Sequence, residues 1–284
     1  MSFAQAIVFG LVQGVTELFP ISSLGHSVLL PAVLGWHLAA DANAFLTFLV
    51  ATHCATAVVL FLLYWSDWRR IAGGFVRSLR VGLGGLDADG RLAWLLIAGT
   101  VPAALVGLLA EHWVRGLFLA PRIAAVGLVT NGVLLLGAER LRRTAPRAAG
   151  ETDADRRIAA TLTWPGALGV GIVQILAFVP GLSRTGSTFG GSLLVGLSHE
   201  DALRYSFLLA TPIIGAAGVL KLPHLMRAPE TNALQYAAAG ALAAAVAAYL
   251  AVRFLTRHFR SKTLTPFAVY CILVGAVSFV AIGR

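Results

Sequence analysis

The sequence predicts an all-α polytopic membrane protein with six transmembrane helices and two re-entrant helical hairpins in an inverted-topology repeat. Of its 284 residues, 58% are hydrophobic and only 12% are charged, whereas soluble domains carry about 25% charged residues. The mean hydropathy is +0.81, which excludes an ordinary soluble enzyme. The apolar residues form blocks of about 14 to 22 residues, a length that matches the hydrocarbon core of a bilayer. Two of these blocks are interrupted and resemble each other.

Six uninterrupted blocks are long enough to be transmembrane helices. Between them lie the charged residues and most of the turn-forming residues. The blocks are residues 44–65, 92–109, 123–137, 206–222, 234–252 and 264–282.

Two further blocks, residues 4–36 and 166–197, are each broken near the middle by a proline that hydroxyl residues follow. The breaks cover residues 20–26 and 180–188. Irregular backbone at membrane depth is tolerated only where protein or a water-filled cavity covers it. We therefore interpret both blocks as re-entrant helical hairpins.

The two broken blocks begin two similar halves of the chain. Residues 11–13 match residues 172–174, and residues 48–52 match residues 207–211, at an offset of 159 to 161 residues. The prolines and serines of the two breaks keep the same register. The similarity predicts an internal repeat within one membrane domain that covers the whole chain.

The number of spans predicts how the halves are oriented. Each half, at about residues 4–137 and 166–282, holds one hairpin and three crossings. An odd number of crossings inverts the second half, so the hairpins are expected to enter from opposite faces. Inverted repeats with broken helices commonly form a substrate site where the halves meet.

The net charge of +9 lies almost entirely between the apolar blocks. The arginine-rich segments 66–91, 138–163 and 253–263 fall on one side of the predicted topology. The positive-inside rule makes that side cytoplasmic and places both termini outside. This distribution indicates membrane topology and not nucleic-acid binding. Cys54 and Cys271 lie inside apolar blocks, so neither a disulfide framework nor a metal cluster is expected.

Glu17 is the only carboxylate in the first broken block. A charge at bilayer depth costs on the order of 3 kcal/mol, so we expect a partner or a function that offsets this cost. Gln13 lies four residues earlier and faces the same way on a helix. The alternative is that Glu17 only marks a helix end near water.

Ser22 and Ser23 follow the first break, where a chain often caps the next helix. If Ser23 is the cap, the free N–H groups of that helix form an anion site with His26 one turn away. A hydroxyl, an imidazole and a carboxylate together suggest a nucleophile, a base and an orienting group or metal ligand. The alternatives are that one serine only caps the helix and that His26 is a structural core histidine.

Arg184 is the only arginine in the interior of a broken block. Its guanidinium suits phosphate oxygens and stays charged, so we expect a phosphate cradle around it. A buried ion pair between Arg184 and Glu17 is the alternative. Hydroxyl residues and glycines surround Arg184, namely Ser183, Ser187, Thr188, Gly181 and Gly186. His53 lies within a span and could face this site.

Both broken segments resemble signatures of a known family. Residues 13–26 (QGVTELFPISSLGH) are similar to the first signature of the bacterial undecaprenyl-diphosphate phosphatases of the bacitracin-resistance type. Residues 180–188 (PGLSRTGST) resemble the second signature. The resemblance implies an enzyme of the bacterial plasma (inner) membrane that converts undecaprenyl diphosphate to the monophosphate and inorganic phosphate. It also implies recycling of the lipid carrier for peptidoglycan synthesis, bacitracin resistance and a divalent cation, Mg²⁺ or Ca²⁺.

The resemblance also implies roles for individual residues. We expect Ser23 to attack the terminal phosphorus, His26 to take its proton, and Glu17 with Gln13 to hold the cation or orient His26. Arg184 would bind phosphoryl oxygens together with its neighbours. The family pattern has Glu or Gln at position 13 and usually Ser at position 185, so here Glu17 must supply the negative charge. The remaining substrate-binding residues are Ser22, Gly181, Ser183, Thr185, Ser187 and Thr188.

Several alternatives stay open at this stage. His26 could itself be the nucleophile, or the chain could be a transporter or flippase of anionic polyprenyl phosphate lipids. A lipid phosphatase with an S-R-x₅-H block is excluded, because Phe189 and Gly190 stand where that block needs histidine. We expect the site to face outward, undecaprenyl diphosphate and membrane lipid as partners, no nucleic acid, and either a monomer or a homodimer.

Overall fold

The computed structural model describes residues 1–36, 42–109, 120–142, 151–225 and 233–282. Within these ranges the regular structure is entirely helical. The α-helices are α1 (Phe3–Leu18), α2 (Ser23–Leu34), α3 (Ala42–Leu63), α4 (Trp65–Val81), α5 (Ala88–Leu109), α6 (Pro121–Leu141), α7 (Ala154–Thr161), α8 (Trp164–Val173), α9 (Arg184–Leu194), α10 (His199–Leu225), α11 (Ala233–His258) and α12 (Thr265–Ile282). Short 3₁₀ helices cover Leu83–Gly85 and Gln174–Phe178.

Five of the described helices are long and apolar enough to cross a membrane, namely α5, α6, α10, α11 and α12. The count rises to seven if each of two bent helix pairs is one span. One pair is α3 with α4, bent by 79°, and the other is α7 with α8 and its 3₁₀ extension, bent by 100°. The predicted multi-pass helical membrane protein is therefore confirmed. Four of the six predicted spans lie within one helix, whereas the span 44–65 extends past the end of α3 to the first residue of α4, and the span 264–282 begins one residue before α12.

The helices are interrupted where the sequence predicts breaks. The first broken block is α1 and α2, separated by residues 19–22, and the second is α8 and α9, separated beyond the 3₁₀ turn by residues 179–183. Pro20 and Pro180 lie in these gaps. Proline has no N–H for a helical hydrogen bond, which favours an interruption of the helix at these positions. Helices α2 and α9, which follow the two breaks, each begin inside the predicted break. The irregular segments are therefore shorter than expected.

Two helices lie in segments that the sequence analysis treats as basic loops. Helix α4 buries Ile71, Gly74 and Ser78 and exposes its basic side chains Arg69 and Arg80. Helix α7 is likewise amphipathic and buries Ile158 and Ala159. A hydropathy window long enough for a span averages the two faces of such helices, which explains why they are missed.

Ion pairs join the basic segments at one end of the helical bundle. Arg70 of α4 donates to Asp153 and Asp155 at the start of α7, at 2.7 Å each. At the same end, Glu139 of α6 accepts a hydrogen bond from the backbone N–H of Leu264 at 3.0 Å. The segments 66–91 and 138–163 therefore meet at this end, together with Leu264, the residue that follows the segment 253–263.

Small residues let the helices that carry the breaks pack closely. A Cβ at Gly10 would meet the carbonyl oxygen of Gly240, and one at Gly14 would meet that of Ala244. These contacts press α1 against α11, the close approach that small residues permit between membrane helices. The last turn of α1 is thereby held in the centre of the bundle.

Candidate active site

Glu17 is the centre of a buried polar network at the end of α1. Its Oε2 accepts hydrogen bonds from Ser23 Oγ at 2.5 Å and Gln13 Nε2 at 3.1 Å. His53 Nε2 of α3 lies 3.2 Å from the same oxygen. The other carboxylate oxygen of Glu17, Oε1, accepts a hydrogen bond from Arg184 Nη2 at 2.7 Å. The side chain of Glu17 is only 6% exposed, so these donors replace water as partners of the carboxylate.

Arg184, the first residue of α9, brings the second broken segment to this carboxylate. Its neighbour Thr185 donates from Oγ1 to the backbone carbonyl of Glu17 at 2.9 Å. Arg184 and Thr185 therefore bind both the side chain and the backbone of one residue on α1. The two breaks meet at a single site, and the alternative ion pair between Arg184 and Glu17 is present within it.

The structure corrects the roles of the two serines. Ser22, and not Ser23, is the N-cap of α2, because its Oγ accepts from the Gly25 N–H at 3.1 Å. The Ser22 hydroxyl also donates to the Leu182 carbonyl at 3.1 Å, which ties the first break to the second. Ser23 is consequently free of capping and directs its hydroxyl to Glu17. The expected capping role thus belongs to Ser22, and the chemical role of Ser23 stays a prediction.

Ser183 occupies the equivalent position in the second break. It is the N-cap of α9 and accepts from the Gly186 N–H at 3.0 Å. Thr188 donates within its own helix, to the Arg184 carbonyl at 3.0 Å. The Ser183 hydroxyl also donates to the Phe19 carbonyl at 3.5 Å. Both hydroxyls are therefore already hydrogen-bonded, and their place in a phosphate cradle stays a prediction. The half-buried Ser187 has no hydrogen-bond partner for its hydroxyl among the described residues.

Asn131 of α6 holds the backbones of both breaks together. Its Nδ2 donates to the Pro20 carbonyl at 2.9 Å, and its Oδ1 accepts from the Ser183 N–H at 3.0 Å. The sequence analysis does not assign this residue a role. A lone amide in the middle of an apolar span is the signal that could have identified it, since such polar residues are costly unless they have partners.

Gly181 allows the second break to approach α6. It has φ +94°, a conformation that favours glycine. A Cβ there would collide with backbone atoms of Ala124, Gly127 and Leu128. A Cβ at Gly25 would come within 2.9 Å of Gly181 Cα. Gly181 thus permits a close approach of the second break to α6 and α2.

His26 does not contact Ser23, which corrects the expected proton acceptor. Its Nδ1 lies 2.7 Å from the Ser22 carbonyl and its Nε2 lies 2.9 Å from the Tyr270 hydroxyl. Both ring nitrogens are therefore occupied. The side chain in position to take the proton of Ser23 is that of Glu17.

Two residues at the site, His53 and Tyr270, have no catalytic or binding role assigned from the sequence. His53 was noted only as a residue that could face the site, and it contacts Glu17. Its Nδ1 lies 2.7 Å from the Leu49 carbonyl, which can only accept a hydrogen bond, so Nδ1 carries a proton. Tyr270 lies on α12, more than 240 positions from His26 in the chain. Only the fold brings Tyr270 into contact with the first break.

Two buried polar atoms at the site have no hydrogen-bond partner in the described part of the protein. They are Gln13 Oε1, an acceptor, and Arg184 Nη1, a donor. Buried polar atoms are normally hydrogen-bonded, and both belong to side chains that also bind Glu17. These atoms can bind a ligand that offers both an electropositive centre and anionic oxygens.

The donor set fits part of a divalent cation site. The amide oxygen of Gln13 and the carboxylate of Glu17 are the oxygen ligands that Mg²⁺ and Ca²⁺ prefer. Over the described ranges no three His, Cys, Asp or Glu side chains cluster to hold a metal. Glu17 and Gln13 would therefore need phosphate oxygens of a ligand to complete the coordination, as is usual for Mg²⁺.

Comparisons with known proteins find one family across most of the chain. The family described as bacitracin resistance protein BacA matches residues 6–277. An undecaprenyl-diphosphatase of Mycolicibacterium paratuberculosis is 46% identical over 298 residues, which cover 99% of this chain and 97% of the relative. An undecaprenyl-diphosphatase of Gluconacetobacter diazotrophicus is 43% identical, covering 100% of this chain and 98% of the relative. Undecaprenyl-diphosphatase 2 of Frankia alni is 41% identical, with coverages of 98% and 97%.

Proposed function

Because the chain belongs to the bacitracin resistance protein BacA family, we propose that it is an undecaprenyl-diphosphate phosphatase embedded in the membrane. It converts undecaprenyl diphosphate to undecaprenyl monophosphate and inorganic phosphate. The reaction recycles the lipid carrier for peptidoglycan synthesis, and bacitracin resistance follows from this activity in the family.

The observation that carries this proposal is the pairing of Ser23 and Arg184 through Glu17. A hydroxyl bonded to a carboxylate is the arrangement of an activated nucleophile. A guanidinium beside it, with one buried nitrogen unpaired, suits the phosphoryl oxygens of the substrate. A transporter of anionic lipids would need the arginine but has no use for the serine and carboxylate pair.

In the first step Ser23 Oγ attacks the terminal phosphorus of the diphosphate. Glu17 Oε2, at 2.5 Å from Oγ, accepts the hydroxyl proton. A bond forms between Oγ and phosphorus, and the bond from phosphorus to the bridging oxygen breaks. Undecaprenyl monophosphate leaves with the electron pair of that bond and receives the proton from Glu17.

In the second step water attacks the phosphoserine. The bond between Ser23 Oγ and phosphorus breaks, inorganic phosphate leaves, and the serine hydroxyl is restored with a proton from the water. Arg184 binds the charge that develops on the phosphoryl oxygens in both steps, which is the main contribution to phosphoryl-transfer catalysis. The nucleophile could instead be His26, but its Nε2 would first have to lose the hydrogen bond to Tyr270.

A divalent cation, Mg²⁺ or Ca²⁺, would be held by Glu17 and Gln13 together with the substrate. Bound there, it would neutralise charge on the diphosphate. Gln13 contributes no charge of its own, so the affinity of the protein for the cation depends mainly on Glu17 and on the substrate.

The proposal includes an inverted repeat of two halves, each with one re-entrant hairpin and three spans. In this arrangement α3, α5, α6, α10, α11 and α12 are the spans in the bacterial plasma membrane. The ion-paired end that joins the three basic segments is then cytoplasmic, and the site opens to the outside. A single chain supplies both breaks, so the proposal requires no homodimer.

Phosphate release from undecaprenyl diphosphate by the purified protein in detergent tests the function. We expect the parent to release phosphate, EDTA to stop it, and added Mg²⁺ or Ca²⁺ to restore it. Arg184→Ala should lower kcat by about 10²- to 10³-fold. Arg253→Ala is the control, because Arg253 bonds Tyr249 on α11 and not the site. A parent without activity, or an Arg184→Ala protein at the parental rate with and without EDTA, would refute the proposal.

A further inference from the structure

We propose that Tyr270 is a positioning residue for the reaction, acting through His26 on the turn that carries Ser23. The inference rests on the proposed function of the same site. It assigns a role to a residue of the last helix, and it changes the role of His26 from proton carrier to structural link.

The hydrogen bonds of the His26 ring determine its protonation pattern. The Ser22 carbonyl can only accept a hydrogen bond, so His26 Nδ1, at 2.7 Å, is the donor. A neutral imidazole has one donor and one acceptor, and Nε2 therefore accepts from the Tyr270 hydroxyl at 2.9 Å. The two rings are also stacked, with centroids 5.8 Å apart and planes within 9°. The Ser22 carbonyl thus fixes the tautomer, and Tyr270 holds the orientation of the ring through its hydroxyl and the stacking contact.

The backbone that His26 binds is under conformational strain. Ser22 has φ 68° and is the only residue other than glycine with a positive φ in the described part of the chain. Such backbone costs of order 1 to 3 kcal/mol and persists only when its surroundings enforce it. The His26 ring binds the Ser22 carbonyl, and the Ser22 hydroxyl binds the Leu182 carbonyl. These bonds hold Ser22 from two directions.

The geometry of Ser22 decides where the Ser23 hydroxyl points. Ser23 is the next residue and the first of α2, and its Oγ lies 2.5 Å from Glu17. Tyr270, His26, Ser22 and Ser23 therefore form one chain of contacts from α12 to the nucleophile. Tyr270 touches neither Glu17 nor Arg184 through any hydrogen bond among the described residues. Its effect on the reaction must pass through His26.

Helix α12 contacts the same break at a second point. Cys271, the residue after Tyr270, is fully buried, and its Sγ lies 3.3 Å from Asn131 Nδ2, which binds the Pro20 carbonyl. Tyr270 and Cys271 thus face the two ends of the turn formed by residues 20–22. This packing gives the hydroxyl of Tyr270 a defined position relative to the turn.

Steady-state phosphate release by Tyr270→Phe tests the inference. The variant keeps the ring and loses the hydroxyl, so we expect kcat to fall about tenfold to a hundredfold, as for other residues that orient a site residue. KM for undecaprenyl diphosphate should stay within about twofold, because substrate contacts are unchanged. Tyr249→Phe is the matched control. It loses a hydroxyl bonded to Arg253 on α11 and should keep the parental kcat.

Substitutions of His26 separate positioning from chemistry. Asparagine can place an amide N–H near the position of Nδ1 but cannot reach Tyr270 or transfer a phosphoryl group. We expect His26→Asn to be at least about tenfold more active than His26→Ala. Adding Tyr270→Phe to either variant should cause no further loss.

Some outcomes would overturn the inference while the proposed function stands. They are a Tyr270→Phe protein with the parental kcat, a His26→Asn protein as inactive as His26→Ala, or a double variant in which the losses multiply. Thermal unfolding of each variant checks that it is folded. An inactive parent would instead be a failure of the proposed function.

Discussion

At the scale of single residues, the site is organised by one carboxylate with donors from four helices. Gln13, Ser23, His53 and Arg184 come from α1, α2, α3 and α9, and all bind Glu17. Three polar groups on Oε2 and a guanidinium on Oε1 hold this carboxylate in a fixed orientation. The carboxylate thereby orients the nucleophile and the phosphate-binding arginine relative to each other.

His53 provides a prediction at this scale. His53→Phe keeps a ring but removes the hydrogen bond to Glu17, and a bond to a charged group is worth about 1.5 to 3 kcal/mol. We expect kcat/KM for phosphate release to fall at least about tenfold. His258→Phe is the control, since His258 lies at the end of α11 and contacts the Thr263 carbonyl. An unchanged kcat/KM in His53→Phe would contradict a contribution of His53 to the reaction.

The sequence identifies the residues whose charge is unusual for their surroundings. Glu17 and Arg184 are visible because an ionised group inside an apolar block needs a reason. His53 and Tyr270 are different, because a histidine or tyrosine at a helix position is common and its partner is set by the packing of distant helices. The same limit explains why the sequence pairs Ser23 with the nearby His26, whereas in the structure the Ser23 hydroxyl is hydrogen-bonded to Glu17.

At the scale of elements, the important feature is the junction of two interrupted helices. Each break leaves backbone groups without helical partners, and Asn131 satisfies one group from each. Ser22 and Leu182 add a direct bond between the breaks. The site therefore depends on side chains that bind backbone as much as on those that face the substrate.

Asn131 provides the prediction for this junction. Asn131→Leu leaves the Ser183 N–H unpaired and buried, and it leaves the Pro20 carbonyl with only the long, weak contact from Cys271 Sγ at 4.0 Å. Each buried group that loses its partner costs about 1 to 3 kcal/mol. We expect a loss of at least about 2 kcal/mol in the free energy of unfolding in detergent, together with a lower kcat. Thr130→Val is the control, because the exposed Thr130 bonds only to Val126 of its own helix. Equal stability of Asn131→Leu and the parent would contradict the role of the junction.

Proline and hydroxyl residues make the two breaks predictable from the sequence. The residue at which the next helix begins is harder to predict, because either of two serines could be its N-cap. Both serines after Pro20 can cap a helix, and the choice of Ser22 depends on a positive φ and on Leu182 from the other break. Helices α4 and α7 are missed for another reason. Their apolar faces are too narrow to register in a window chosen for membrane spans.

At the scale of the whole molecule, ion pairs join neighbouring helices at one end of the bundle. Asp155 is 1% exposed and binds Arg70 at 2.7 Å and Arg204 at 2.6 Å. Arg157 of α7 binds Asp201 of α10 at 2.7 Å. These pairs join α4, α7 and α10 where the second broken block begins, so they fix the direction in which that block enters the bundle.

The pH dependence of stability tests this network. Burial acts to raise the pKa of Asp153, but the hydrogen bond and charge of Arg70, together with hydrogen bonds from the backbone N–H groups of Asp155 and Arg156, hold this pKa below its usual range. A lowered pKa in the folded state stabilises the protein above the unfolded value of about 3.9. This contribution is lost as the pH falls through the folded pKa.

We therefore expect thermal stability of the parent to fall more steeply below about pH 4 than that of Arg70→Gln, in which Asp153 has lost its partner. Arg69→Gln is the control, because Arg69 lies beside Arg70 but contacts Trp65. Parallel pH profiles for the parent and Arg70→Gln would show that this pair does not stabilise the fold.

The distribution of charge along the chain predicts which segments lie on the same side of the membrane. This prediction needs no knowledge of contacts between side chains, because the charge distribution reflects how the chain inserts into the membrane. The individual pairs could not be predicted, since Arg70 and Asp153 are 83 positions apart and are joined by the fold alone. The inverted repeat follows from a count of spans and stays a prediction.

The central claim is that Ser23, oriented by Glu17 and opposite Arg184, is the group that attacks the diphosphate. The most direct test is kcat for phosphate release by Ser23→Ala beside Ser27→Ala. Ser27 is the control, since it lies one turn further along α2 and its hydroxyl bonds only to the Ser23 carbonyl. The account predicts that Ser23→Ala loses at least about 10³-fold in kcat while Ser27→Ala keeps most of the parental rate. A Ser23→Ala protein that releases phosphate at a rate close to the parent would contradict it.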